Sequence, residues 1–271
     1  ILSHPALGFP SNYQEKFPKS LSINLLRKLY DNKWWRFYTR SNKKSVFHKS
    51  IFLPSEAYSM WRYLTKPRIN FSQNFLLNES ATDDEKKMIR EYFQKMIDLQ
   101  GKERLAFKIT GPSRIGYLLS IFPDAQFVYV KRRIIPTVSS FMKTNFWESR
   151  GKHKLWFQGV YSDTDYKYLK TLNNHPAELT AFQLGRIDVI TKKEIENLRP
   201  KIFELDYDEF LSNPDEHIKE ILTFTNLKSD QACSNYIKYN GIKNNVKDDF
   251  DYYDKKTLKY LYDAYKKGYA Y

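Results

Sequence analysis

Cysteine is nearly missing. Cys233 is the one thiol in 271 residues, which excludes a disulfide scaffold and a zinc site built on thiolates. Glycine is scarce at nine residues, and none of them forms a G-x-x-x-x-G-K-[ST] phosphate loop. Long apolar runs are absent too. Phe127-Val128-Tyr129-Val130 is typical, far below the roughly 18 residues of a membrane span, so no transmembrane segment is expected. The histidines His4, His48, His153, His175 and His217 do not fall at metal-ligand spacing, and no metal is expected. The opening Ile1-Leu2-Ser3-His4-Pro5 has no initiator Met, basic n-region or apolar h-region. No signal peptide is legible, and the chain reads as one entered part-way through.

What is abundant is positive charge. The sequence holds 45 Lys and Arg against 31 Asp and Glu, a net +14. Such a surplus points to an anionic partner: nucleic acid, an anionic lipid surface, a polyanionic substrate or a phosphorylated cofactor. With 41% hydrophobic and 28% charged residues, the composition is that of a folded globular chain. Its length is enough for a core without cross-links, read here as a single domain over 1–271.

Periodicity places the elements. The first 50 residues read as irregular apart from a short helix, Ile23 to Tyr30. A helix after Pro54-Ser55 carries Tyr58, Trp61, Tyr63 and Leu64. The clearest helix opens at the capping box Thr82-Asp83-Asp84-Glu85, keeps Met88, Ile89, Tyr92, Phe93, Met96 and Ile97 on one stripe, and stops at Gly101. Strands are expected at Arg104–Ile109, Gln126–Lys131 and Lys201–Leu205. Helices are expected at Ser113–Ile121, about Ile135–Phe146, Pro176–Leu198 (with a restart at the box Thr191–Glu194), Pro214–Phe224 and Lys255–Lys267. Asn240 to Asp249 is a polar loop. Strand, helix, strand, helix at this spacing predicts an α/β fold, an open parallel sheet with helices on both faces.

In such a sheet, ligands bind beyond the carboxyl ends of strands. The strand Gln126–Lys131 delivers Lys131, Arg132 and Arg133 there, just before a helix N-terminus whose N–H groups and dipole favour anions. Arginine adds a fork suited to phosphate oxygens. Ser140, eight residues after Arg132, can donate to the same anion if its helix folds back past the strand end. The plain alternative is a solvated basic turn followed by a helical serine.

The stretch Phe122-Pro-Asp-Ala-Gln-Phe-Val-Tyr-Val-Lys-Arg132, with Ser140, resembles the 3′-phosphate-binding element of PAPS-dependent sulfotransferases. That element has a Phe-Pro-Asp-Ala turn, a hydrophobic strand, then Arg, seven residues and Ser. Arg133-Ile134 departs from the family's Asp or Asn followed by Pro. Leu7-Gly-Phe-Pro-Ser-Asn-Tyr13 with Phe17-Pro18, Phe107-Lys108-Ile109-Thr110, Tyr207-Asp-Glu-Phe-Leu-Ser-Asn-Pro214 and Gly268-Tyr269 are similar to further segments of one broad branch. The resemblance implies a P-loop-like sheet, PAPS as sulfuryl donor with PAP as product, no metal, and Arg132 and Ser140 on the 3′-phosphate. Lys108 and Arg114 join them as cofactor-site candidates, Lys108 also as a stabiliser of transferring charge and Arg114 with a surface role as its alternative.

The family's 5′-phosphosulfate loop has no counterpart here. Because the similar segments lie downstream of that loop in relatives, it is expected before residue 1; the alternative is a catalytically inactive relative. Relatives' His after the strand at Phe107-Lys108 is also missing, which leaves the base open among His48, His153 and Glu148. Trp147 and Phe146 line either a pocket or the core, and Lys238, Lys243 and Lys247 approach the nucleotide, an anionic acceptor, or only solvent. The implied acceptor is a hydroxyl or amine of a small molecule, lipid or glycan, an anionic one being favoured by the charge. Nucleic-acid binding is the competing class, disfavoured because the basic residues are spread and no helix-turn-helix, RRM or zinc signature appears. A P-loop phosphotransferase lacks its loop here. The expected compartment is cytoplasmic, or the Golgi lumen if a missing N-terminus carried an anchor.

Overall fold

The computed structural model describes residues 1–30, 51–172, 175–240 and 247–271. In chain order the elements begin with β1 (Leu7–Gly8), α1 (Asn12–Lys16), α2 (Asn24–Tyr30), α3 (Tyr58–Leu64), α4 (Asp83–Gln100) and β2 (Arg104–Leu105). There follow α5 (Ile115–Ile121), β3 (Gln126–Lys131), α6 (Ile134–Met142), α7 (Asn145–Glu148), α8 (Asp163–Thr171) and α9 (Pro176–Leu198). The chain continues through β4 (Lys201–Asp206), α10 (Tyr207–Ser212), α11 (Pro214–Phe224), α12 (Gln231–Asn240), a 3-10 turn (Asp249–Asp251) and α13 (Lys255–Tyr269). These form two compact units, one of Ile1–Phe71, Ser80–Thr110 and Leu222–Asn240, the other of Ser72–Glu79, Gly111–Ile221 and Gly241–Tyr271.

The first unit is organised by α4. Thr82 accepts from the Glu85 N–H while Glu85 reaches back to the Thr82 N–H, and Gly101 closes the helix in the left-handed conformation at φ 64°, which glycine adopts without steric cost. Glu85 is buried. Burial alone pushes its carboxyl up, but the N–H groups of Thr82 and Lys66, the Thr82 hydroxyl and Arg68 outweigh that and hold it below its ordinary value. The apolar stripe of α4 meets α3 in an aromatic cluster: Trp61 stacks on Phe71 at 4.1 Å, and Phe93 and Phe107 lie within 5.7 Å of it or of each other. At the far end of α4 the Gln100 amide is buried. It donates to the Phe9 carbonyl and to Asn24 Oδ1, and accepts from the Phe9 N–H and Arg27.

In the second unit β3 and β4 pair in parallel over six residues, from Gln126 opposite Lys201 to Lys131 opposite Asp206. Helix α9 packs backbone to backbone on α13. A Cβ on Gly185 would stand 2.2 Å from the Tyr265 carbonyl oxygen, and one on Gly268 2.0 Å from that of Phe182, so only glycine permits this approach. Arg186 of α9 is buried with Asp165 at 2.6 Å, an ion pair that satisfies a charge burial would otherwise penalise. Trp147 is core, 2% exposed and donating to Thr180, whereas its neighbour Phe146 is 48% exposed.

Several expectations change. Among the described residues there are two two-stranded parallel sheets, β1 with β2 and β3 with β4, rather than one open sheet. The strand expected at Arg104–Ile109 shrinks to Arg104–Leu105, because β1 offers only Leu7–Gly8 as partner and Pro10 lacks the N–H that would extend a ladder. The first 50 residues hold β1 and α1 as well as α2. The helix expected to reach Phe146 breaks after Met142: i→i+3 bonds close it and the Thr144 hydroxyl donates to the Phe141 carbonyl. No restart occurs in α9, where Thr191 donates to the Ile187 carbonyl instead of capping, the usual mid-helix behaviour of threonine. The short helices α8, α10 and α12 lie where no helix was expected.

Candidate functional site

The carboxyl end of β3 carries three successive cations with three different fates. Lys131 is neutralised by Glu204 on β4. Arg133 is engaged through all three of its nitrogens. Its Nε reaches Asp208 at 2.5 Å, one terminal nitrogen reaches Asp249 at 3.0 Å, and the other donates to the Lys247 carbonyl at 2.6 Å. The Asp208 hydrogen bond, then the charges of Asp208 and Asp249, hold this guanidinium above its ordinary value. Tyr262 donates to the same Asp249, and burial together with that bond pushes its hydroxyl up to about 12. Arg132, between the two, is exposed and lies over the Tyr207 ring at 4.9 Å. Among the described residues no carboxylate pairs with it.

Tyr207 stands there because β4 ends opposite β3. Asp206, the register partner of Lys131, caps α10 by accepting from the Asp208 and Glu209 N–H groups, and Tyr207 is the first residue inside. Helix α6 starts right after Arg133 with no side-chain cap, leaving first-turn N–H groups that favour an anion. Its apolar face, Ile135 and Val138, is buried, while Ser140 in the last turn is exposed. Arg132 and Ser140 are thus both open to solvent within one strand-to-helix crossover. An arginine fork and a serine hydroxyl are donor types that a phosphate dianion takes.

The other candidates are placed differently. Lys108 does not end a strand; it pairs with Glu56 at 3.0 Å, and Thr110 donates to the same carboxylate. Arg114 is not on the surface: it is 2% exposed and donates to the Pro112 carbonyl. His153 and Glu148 come together, Nε2 to Oε1 at 3.0 Å, with Lys152 on the other carboxylate oxygen. The Lys152 and His153 hydrogen bonds hold the Glu148 carboxyl below its ordinary value, which makes it a weaker base on its own. His48 and Lys243 lie outside the described residues.

Sequence reasoning gave no role to Tyr207, Glu56, Asp208 or Asp249, all of which lie far from their contacts in the chain. It also missed Asp188, which accepts from Tyr265 at 2.8 Å and Tyr129 at 3.4 Å. Burial pushes its carboxyl up against the pull of both hydroxyls and Lys131. Among the described residues no group of His, Cys, Asp or Glu is arranged to hold a metal ion, and no helix is long and apolar enough to cross a membrane.

Comparison with curated proteins finds no matching sequence. The fold is similar to the crystal structure of the sulfotransferase STF9 from Mycobacterium avium, with a TM-score of 0.55 at 16% identity, covering 97% of this chain and 70% of that one. The model of the sulfotransferase family matches residues 54–231, a span that includes both Arg132 and Ser140. With more than half of its length under that match, the chain belongs to the sulfotransferase family.

Proposed function

We propose that the chain is a PAPS-dependent sulfotransferase whose 3′-phosphate site is Arg132 with Ser140. The reaction is transfer of a sulfuryl group from PAPS to a hydroxyl or amine of a small-molecule, lipid or glycan acceptor, releasing PAP. The observation that carries this reading is the contrast at the end of β3: among the described residues, carboxylates pair with Lys131 and Arg133 and none pairs with Arg132.

Arg132 presents its fork to the 3′-phosphate. Tyr207 keeps the long side chain extended from below, which lowers the rotamer entropy lost on binding. Ser140 donates to the same group, and the uncapped start of α6 adds N–H dipoles. Their role is selection and positioning of the nucleotide, not bond-making. The acceptor proton needs a base, and the His153–Glu148 pair supplies an imidazole oriented by a carboxylate. The net charge of +14 favours acceptors that are themselves anionic.

Calorimetry tests the reading. PAP is expected to bind more tightly than adenosine 5′-phosphosulfate, which lacks the 3′-phosphate. Arg132→Ala is expected to weaken PAP about 10- to 100-fold, the scale of one or two charge-assisted hydrogen bonds, and to remove most of the preference. Equal affinity for the two ligands, or an Arg132→Ala variant that binds PAP as the parent does, would overturn it. Tight, salt-sensitive binding of single-stranded nucleic acid without PAP binding would favour the nucleic-acid reading.

A further inference from the structure

The side chain of Arg133 joins three pieces of the second unit that are remote in sequence. It holds Asp208 in the first turn of α10, Asp249 in the 3-10 turn, and the backbone of Lys247. Its own backbone carbonyl accepts from the Thr137 hydroxyl at 2.7 Å, fixing it as the N-cap of α6. Two of these pieces lead back to Arg132. Asp208 follows Tyr207, the ring beneath the Arg132 guanidinium, and Lys247 is an exposed cation whose carbonyl is tied within one residue of Arg132. The third partner, Asp249, is itself fastened to α13 through Tyr262.

We propose that Arg133 is a positioning residue for the 3′-phosphate, fastening the Tyr207 platform and the Lys247 turn to the end of β3 so that Arg132 and Lys247 stand on one basic rim. The inference rests on the sulfotransferase reading above. Arg133 acts through its neighbours rather than on the phosphate, since each of its three nitrogens already donates to a protein oxygen. A lysine cannot replace it, because one ammonium cannot span two carboxylates and a carbonyl in a fixed planar geometry.

The test measures the ratio of affinities for adenosine 3′,5′-bisphosphate and adenosine 5′-phosphate by calorimetry, with thermal unfolding alongside. Arg133→Gln is expected to weaken the bisphosphate roughly tenfold, the low end of what loss of a supporting partner around a liganding group costs, and to leave the 5′-phosphate within about twofold. Arg133→Lys is expected to recover only part of the ratio. Asp249→Asn separates clamping from charge and serves if Arg133→Gln fails to fold. It removes a negative charge from the rim, so simple electrostatics predicts tighter binding, whereas loosening the clamp predicts roughly threefold weaker binding.

An unchanged ratio in Arg133→Gln, or tighter bisphosphate binding by Asp249→Asn, overturns the inference. If Arg132→Ala abolishes the preference while Arg133→Gln keeps it, the inference falls alone. If the parent protein shows no preference for the 3′-phosphate, the reading of the site falls and the inference with it.

Discussion

Arg27 and Arg132 make the same kind of contact and serve opposite ends. Arg27 lies over the Phe9 ring at 3.6 Å and Arg132 over the Tyr207 ring at 4.9 Å. Arg27 is 5% exposed and donates to the Gln100 amide oxygen, a closed cluster in which the arginine, the amide and the backbone of Phe9 satisfy one another. Around Arg132 the carboxylates turn to Lys131 and Arg133, and the guanidinium is left facing water. A stacked arginine is therefore no sign of function by itself. What matters is whether the fold supplies its counter-group or leaves it to be supplied.

The closed cluster should be the more costly to disturb. Gln100→Leu strips partners from the Phe9 N–H and carbonyl and from Asn24, and is expected to lower unfolding stability by about 3 kcal/mol in urea titration, with PAP binding unchanged. Arg132→Ala should give the mirror image: stability within about 0.5 kcal/mol of the parent, with the affinity loss described above. Raising salt should weaken PAP binding to the parent more than to Arg132→Ala, because the exposed charge is screened. A stability loss in Arg132→Ala matching that of Gln100→Leu would erase the contrast. The smallest effect is at Glu85. Its folded carboxyl titrates below its ordinary value, so its stabilisation is present above the unfolded-state value and lost as pH falls through the folded one. Unfolding midpoints measured from neutral pH down into the acid range should fall less steeply for Glu85→Gln; parallel curves would show the capping box carries no such linkage.

Local signals were legible in the sequence. Thr82, Glu85 and Gly101 mark the ends of α4 because a capping box and a left-handed glycine act within one turn, and β3 runs Gln126–Lys131 as its β-branched and aromatic residues predict. Arg132 and Ser140 were singled out by the resemblance of their stretch to a sulfotransferase element, and they stand just before and within α6. What was not legible is set by partners at a distance. The length of β2 depends on β1 nearly a hundred residues earlier. Arg133 read as a departure from a pattern, since its carboxylates lie 75 and 116 positions away. The burial of Arg114 and the pairing of Lys108 with Glu56 likewise follow from packing that no window of sequence contains.

The close approach of Gly185 and Gly268 has a consequence for synthesis. Helix α9 leaves the ribosome with its Gly185 face bare, and more than fifty residues separate its end from the start of α13. At about 5–20 residues per second, that face waits on the order of seconds for the helix that covers it. Until then the nascent chain exposes the groove around Phe182 and Ala181, and the second unit completes its core only after translation has passed Gly268.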